Sequence, residues 1–169
     1  MRMSQNVRYL FLDFDGVTHR FFPMEGEDDE SNSHFAFVPD IVRALDGLPF
    51  VVKIVISSTW RRTHPLDKLR SFLGGLGHMV VGATPVHSDG NREGGRLAEV
   101  RQWIADNDPG AIWVALDDYP EMYARGPGDD EVVALVKCPD CFSEREGEML
   151  RQAMSDPRKW SEDHPVPHL

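Results

Sequence analysis

Runs of apolar residues alternate along this chain with segments of helical spacing. Val7-Arg8-Tyr9-Leu10-Phe11-Leu12 is nearly continuous in apolar, β-favouring residues and stops at Asp13-Phe14-Asp15-Gly16. Continuity, rather than strict alternation, predicts a strand buried on both faces. Residues 50–56 predict a second such strand, ended by Ser57-Ser58-Thr59-Trp60-Arg61-Arg62. Residues 78–82 predict a short third strand, 111–116 a fourth that ends in Asp117-Asp118, and 131–136 a fifth.

Helices are expected between them. Pro39 opens one over 40–45, stopped by Gly47, and another spans 65–73, stopped by Gly74-Gly75. Residues 96–107 place Leu97, Val100, Trp103 and Ile104 at i, i+3, i+4 spacing. A last helix runs over 143–154. Residues 17–37 are expected to form a flap, with 17–22 and 35–37 as the arms of a short hairpin and the acidic stretch 25–33 as its loop. Residues 155–169 contain three prolines and read as a C-terminal tail of weak order.

Strands alternating with helices predict a Rossmann-like α/β domain over residues 1–154, with a five-stranded parallel sheet flanked by helices. The length of 169 residues fits that single domain, and a formal net charge of −10 opposes broad binding to nucleic acid or an anionic membrane. No apolar run approaches membrane-spanning length, the first residues lack a signal-peptide core, and two cysteines make no disulfide framework. A cytoplasmic protein is expected.

In open parallel sheets ligands bind beyond the carboxyl ends of the strands. Four segments deliver chemistry to that edge here: Asp13 and Asp15; Ser57, Ser58 and Thr59; Arg96 at a helix start; and Asp117 with Asp118. Converging carboxylates repel one another unless a cation sits between them, and hard oxygen ligands suit Mg²⁺. A carboxylate beside such a cation can attack phosphorus, and a second one two residues on can reach the leaving oxygen and then a water. A hydroxyl and a fixed cation can hold the phosphoryl oxygens.

Asp13-Phe14-Asp15-Gly16-Val17 resembles the first motif of the haloacid dehalogenase (HAD) superfamily. Ile54-Val55-Ile56-Ser57-Ser58 is similar to its second motif, Arg96 to its basic third motif, and Leu116-Asp117-Asp118 to its acidic fourth. Ser57-Ser58-Thr59-Trp60-Arg61, Glu99-Val100 and Trp103-Ile104 extend the likeness to the HAD domains of Swiss-army-knife RNA-repair proteins. The resemblance implies a phosphatase working through an aspartyl phosphate. Asp13 would be the nucleophile and a metal ligand; Asp15 the general acid/base, with its backbone carbonyl on the metal. Ser58 would bind phosphate, with Ser57 as the other choice. Arg96 would stabilise the phosphoaspartate, and Asp117 and Asp118 would complete a Mg²⁺ site. Thr59 and Arg61 join Ser57 as expected substrate contacts. Neither gap that accommodates a cap domain in this superfamily is long enough for one, so a capless member is implied, with a nucleotide, nucleic-acid end or small phosphate ester as substrate.

Blander readings stand beside these. Trp60, Arg61 and Arg62 can stack on a base and hold further phosphates, or Trp60 can pack on the sheet edge while one of the arginines pairs with a loop acid. His19 and Arg20 can touch a leaving group or lie in solvent. Cys138-Pro139-Asp140-Cys141 lacks the second pair a zinc site needs. A phosphoacceptor receiver domain is disfavoured, because the third strand ends in Gly82-Ala83-Thr84 with no acid. A non-catalytic binding module of the same fold and a phosphotransferase remain alternatives.

Overall fold

The computed structural model describes residues 6–21 and 34–169. The first apolar run is β1, Val7–Leu12. The following elements are α1, Val38–Leu45; β2, Val51–Ile56; α2, Leu66–Phe72; β3, Val80–Ala83; and α3, Gly95–Asn107. The chain continues through β4, Trp113–Asp117; β5, Leu135–Lys137; α4, Glu144–Ser155; and α5, Pro157–Asp163. All five strands run parallel in the order β3-β2-β1-β4-β5. This is a Rossmann-like α/β sheet with helices on both faces.

Burial of both faces explains the unbroken apolar strands. Leu10 and Leu12 enter one core with Ile54, Ile56 and Leu116, beneath α1, α2, α4 and α5. Tyr9 and Phe11 enter the other with Val55, Ala115 and the α3 residues Leu97, Val100 and Trp103. β1 is central, and the strand order reverses around it. Leu12 is in register with Ile56 on one side and Leu116 on the other. The next residues, Asp13, Ser57 and Asp117, therefore emerge level at the carboxyl edge. The ladder carries on through them: Asp13 N–H donates to Leu116 O (3.1 Å) and Ser57 N–H to Leu12 O (3.0 Å).

Three expectations are corrected. The described arms of residues 17–37 form no hairpin strands. Val17 and Thr18 lie in a turn that hydrogen-bonds back to Phe14 O, and 34–37 is a second turn leading into α1, tied to the first by Phe37 N–H donating to Thr18 O (2.9 Å). The rest of that segment lies outside the described residues. The fifth strand falls at 135–137 rather than 131–136: Arg101 and Arg125 hold Asp129 and Glu131 in a loop, so pairing with β4 starts later. The tail is ordered. Asp156 caps α5 through Lys159 N–H (3.0 Å), and Trp160 is buried in the first core. Beyond α5, Val166 reaches the second core, and Leu169 N–H donates to Arg125 O (2.9 Å).

Trp160 anchors this end of the chain. Its indole N–H donates to Leu135 O at 2.8 Å and its ring stacks on His164 at 3.7 Å. Trp160→Ala is expected to cost about 3–5 kcal/mol, read as a lowered urea midpoint.

Candidate active site

The site forms where β1, β2 and β4 end and α3 begins. Asp13 and Asp117 point to the α3 face, because strand alternation places them on the side of Phe11 and Ala115. Asp13 is 5% exposed and Asp117 fully buried. Arg96, from the first turn of α3, reaches both with one nitrogen: Nη1 lies 3.1 Å from Asp13 Oδ1 and 2.7 Å from Asp117 Oδ2. The other Asp117 oxygen accepts from Tyr119 N–H at 3.0 Å. Asp118 completes a cluster in which one carboxylate oxygen from each of Asp13, Asp117 and Asp118 lies within 4.8 Å of the others. Gly16 permits that approach. It has φ +75°, and a Cβ there would fall 2.5 Å from Asp118 Oδ2.

The electrostatics show a surplus of negative charge. Burial, then repulsion from Asp117, pushes the Asp13 carboxyl well above the usual carboxylate range, with Arg96 working against them. Burial and Asp117 push Asp118 up to about 6. For Arg96, burial disfavours the charge, but Asp117 and Asp13 outweigh it and hold the guanidinium protonated. One cation for three clustered carboxylates leaves the group short of positive charge. The donor set is hard oxygen throughout, so it fits a divalent cation such as Mg²⁺.

Asp15 lies apart from this cluster. Its Oδ1 is 2.9 Å from His19 Nε2, and Trp60 Nε1–H lies 3.3 and 3.2 Å from its two oxygens. Hydrogen bonding from His19 holds it below the usual carboxylate range despite partial burial. With its side chain so engaged, any ligand from Asp15 to a metal would be its backbone carbonyl. A pocket of about 240 Å³ opens over these groups, lined by Asp13, Asp15, Arg96, Asp117, Asp118 and Thr59. A larger hollow of about 950 Å³ along α3, lined by Arg92, Leu97 and Arg101 among others, lies away from these carboxylates.

The two serines differ. Ser58 Oγ accepts from Trp60 N–H at 3.3 Å and caps the short 3₁₀ turn Thr59–Arg62. Ser57 Oγ is buried and faces the Tyr123 hydroxyl, which is buried beside it. Ser57 follows Ile56 in register with Asp13 and shares its face, so its hydroxyl sits on the Arg96 side of the sheet.

Arg61 is corrected from substrate contact to structural clamp. Its side chain is 3% exposed and every guanidinium nitrogen has a protein acceptor. Nε donates to Thr84 O (3.1 Å), Nη1 to Ser57 O and Ser58 O (2.9 and 2.8 Å), and Nη2 to Pro85 O (3.2 Å) and Glu99 Oε2 (2.5 Å). It pins the ends of β2 and β3 together. Trp60 packs among Phe14, Phe35 and Phe72 rather than standing free to stack on a base. His19 is 2% exposed, so it touches Asp15 and not solvent. Tyr123 is a residue the sequence reading missed. It reads as core, but its hydroxyl sits close enough to feel Asp117, Arg96 and Asp13.

Over residues 9–139 the chain matches the family described as the HAD domain in Swiss Army Knife RNA repair proteins, and it belongs to that family. The family is generally one of hydrolases. No curated protein and no solved structure gives a significant match.

The raised carboxylates fix the sign of a pH effect. A carboxyl whose folded pKa lies above its ordinary 3.8 binds more protons in the folded state, so the stability it contributes is lost as pH rises from 3.8 through about 6. With a chelator present, Asp118→Asn is expected to raise the melting temperature above about pH 6, with the gain vanishing below pH 3.8. Thermal melts across pH read this directly.

Proposed function

We propose that the chain is a Mg²⁺-dependent phosphohydrolase that cleaves phosphate monoesters through an aspartyl phosphate on Asp13. The observation that carries this reading is the cluster of Asp13, Asp117 and Asp118 around Arg96, beneath a pocket that also reaches Asp15. Asp13, Asp117 and Asp118 would hold the cation. When bound, it neutralises charge on the phosphoryl oxygens and on the carboxylates around them.

In the first step an Asp13 oxygen attacks phosphorus in line, and the bond from phosphorus to the leaving oxygen breaks. Asp15 donates the proton that the leaving oxygen takes. In the second step a water attacks the phosphoaspartate, passes its proton to Asp15, and the Asp13–phosphorus bond breaks to return the carboxylate and free phosphate. Hydrogen bonds from His19 and Trp60 hold the Asp15 carboxylate in place at the pocket for both transfers. Arg96 keeps the attacking carboxylate aimed and offsets charge on the phosphoaspartate. Ser57, which shares the Arg96 side of the sheet with Asp13, is the favoured phosphate-binding hydroxyl over Ser58, whose Oγ caps the turn Thr59–Arg62.

The substrate class we propose is a nucleotide or nucleic-acid end. The family's association with RNA repair supports it. A terminus requires few contacts, so the net charge of −10 does not oppose it as it opposes binding along a polyanion. Free Cys138 and Cys141 fit a cytoplasmic setting. No helix among the described residues is long and apolar enough to cross a membrane.

Phosphate release from p-nitrophenyl phosphate tests the reaction. Wild type with Mg²⁺ is expected to turn over, and excess EDTA to stop it. Asp13→Asn is expected to abolish turnover while the protein stays folded. Ser57→Ala is expected to lower kcat/KM by more than Ser58→Ala. Folded wild type that neither turns over nor binds fluoroberyllate would leave the non-catalytic module as the reading.

A further inference from the structure

We propose that His19 is a positioning residue for Asp15. Its Nε2–H and the Trp60 indole N–H hold the Asp15 carboxylate as the proton acceptor for the water that hydrolyses phosphorylated Asp13. The role rests on the phosphatase reading above.

The hydrogen bonds assign the tautomer. Phe35 N–H points at His19 Nδ1 (3.4 Å), while Thr18 Oγ1, 3.1 Å from the same nitrogen, donates its own hydrogen to Phe14 O (3.1 Å) and so does not decide the assignment. A backbone N–H can only donate, so Nδ1 presents its lone pair and the ring proton sits on Nε2, 2.9 Å from Asp15 Oδ1. Phe35 delivers that N–H from φ +64°, a conformation that costs a bulky non-glycine residue energy. Strain of this kind persists where the surroundings over-determine it. The imidazole is also fenced by rings, with His34 at 4.8 Å, Phe35 at 5.2 Å and Trp60 at 5.6 Å between centroids.

Trp60 supplies the second donor and is itself immobilised. Its ring meets Phe14 at 5.9 Å and Phe72 at 5.6 Å edge-on, and stacks on His64 at 5.5 Å. Two donors built into a packed aromatic cluster thus fix a half-buried carboxylate whose two side-chain torsions would otherwise be free. His19 is too buried to meet a substrate, so it acts through Asp15. Holding the acceptor near its productive geometry lowers the barrier for proton transfer without any contact from His19 to the reacting atoms. In that transfer the water oxygen bonds to phosphorus, a water proton moves to Asp15, and the phosphorus–Asp13 bond breaks with its electron pair returning to Asp13.

A structural role alone would be a staple across the turn from Asp15 to His19, and two-phase kinetics separate the two. p-Nitrophenolate leaves as an anion, so phosphorylation of Asp13 by p-nitrophenyl phosphate needs no proton from Asp15, whereas hydrolysis of the phosphoaspartate needs a base. With Mg²⁺ present, His19→Leu is expected to give a burst approaching one p-nitrophenol per chain and then a steady rate about tenfold or more below wild type. Intact-mass analysis should show phosphorylated protein accumulating. His19→Gln, which restores an N–H donor, is expected to recover most of the steady rate. Trp60→Phe keeps the ring, removes one donor and should move the steady phase in the same direction; it decides the matter if His19→Leu does not fold. Burst and steady phases that fall together, or a Gln variant no faster than Leu, overturn the positioning role alone. Wild type that releases no p-nitrophenol overturns the phosphatase reading and this role with it.

Discussion

Arg96 bridges Asp13 and Asp117 in a nearly dry setting, and the arrangement of the carboxyl edge depends on that contact. Parallel strands in register bring Asp13 and Asp117 side by side whether or not their charges tolerate it. A guanidinium shared between them relieves part of the repulsion. Its position requires α3 to start close under the sheet edge. Gly94, at φ +72°, makes this start: a Cβ there would fall 2.8 Å from Ala124 O. Gly94 N–H in turn donates to Glu121 O at 2.9 Å. Helix, glycine and neighbouring loop thereby serve one purpose, the delivery of a single cation to two acids.

A second arginine secures the neighbouring strand ends by different means. Arg61 donates to four backbone carbonyls and to Glu99, and Glu99 also accepts His87 N–H at 2.9 Å. These donations occupy carbonyls at the ends of β2 and β3, among them Ser58 O, which also accepts the backbone N–H of Arg61 at 3.2 Å. The two arginines share a helix face through Arg96 and Glu99, three residues apart on α3, so one helix sets both the charge balance of the site and the backbone around Ser57 and Ser58. Motifs of different chemical purpose are therefore mechanically joined.

Much of this was legible from the sequence, for a definite reason. β1, β2 and β4 are buried on both faces, so their apolar runs are uninterrupted and their ends are marked by abrupt polarity at Asp13, Ser57 and Asp117. Once those ends are known, the parallel topology puts the acidic residues together. Less was legible where the deciding partner is distant in sequence. Arg61 reads as a phosphate contact because it follows the serines; its acceptors at Thr84, Pro85 and Glu99 come from other elements. His19 reads as part of an open flap, since nothing local announces that Phe35 and Trp60 close over it. The C-terminal helix was obscured by prolines at 157, 165 and 167, although Pro157 occupies a first-turn position where proline is tolerated.

That helix has a further consequence. β5 is a short edge strand, and α5 covers outward groups of it and of the residues leading into it: Trp160 donates to Leu135 O, and Ser161 Oγ accepts Val133 N–H at 3.3 Å. A chain cut after α4 would retain every residue of the site, yet it would leave an uncovered row of donors and acceptors beside an apolar core. Such an edge is a template for another strand. The helix after the family's matched region thus covers an edge that the candidate site itself does not need, and the boundary of that site is not the boundary of the folded unit that carries it.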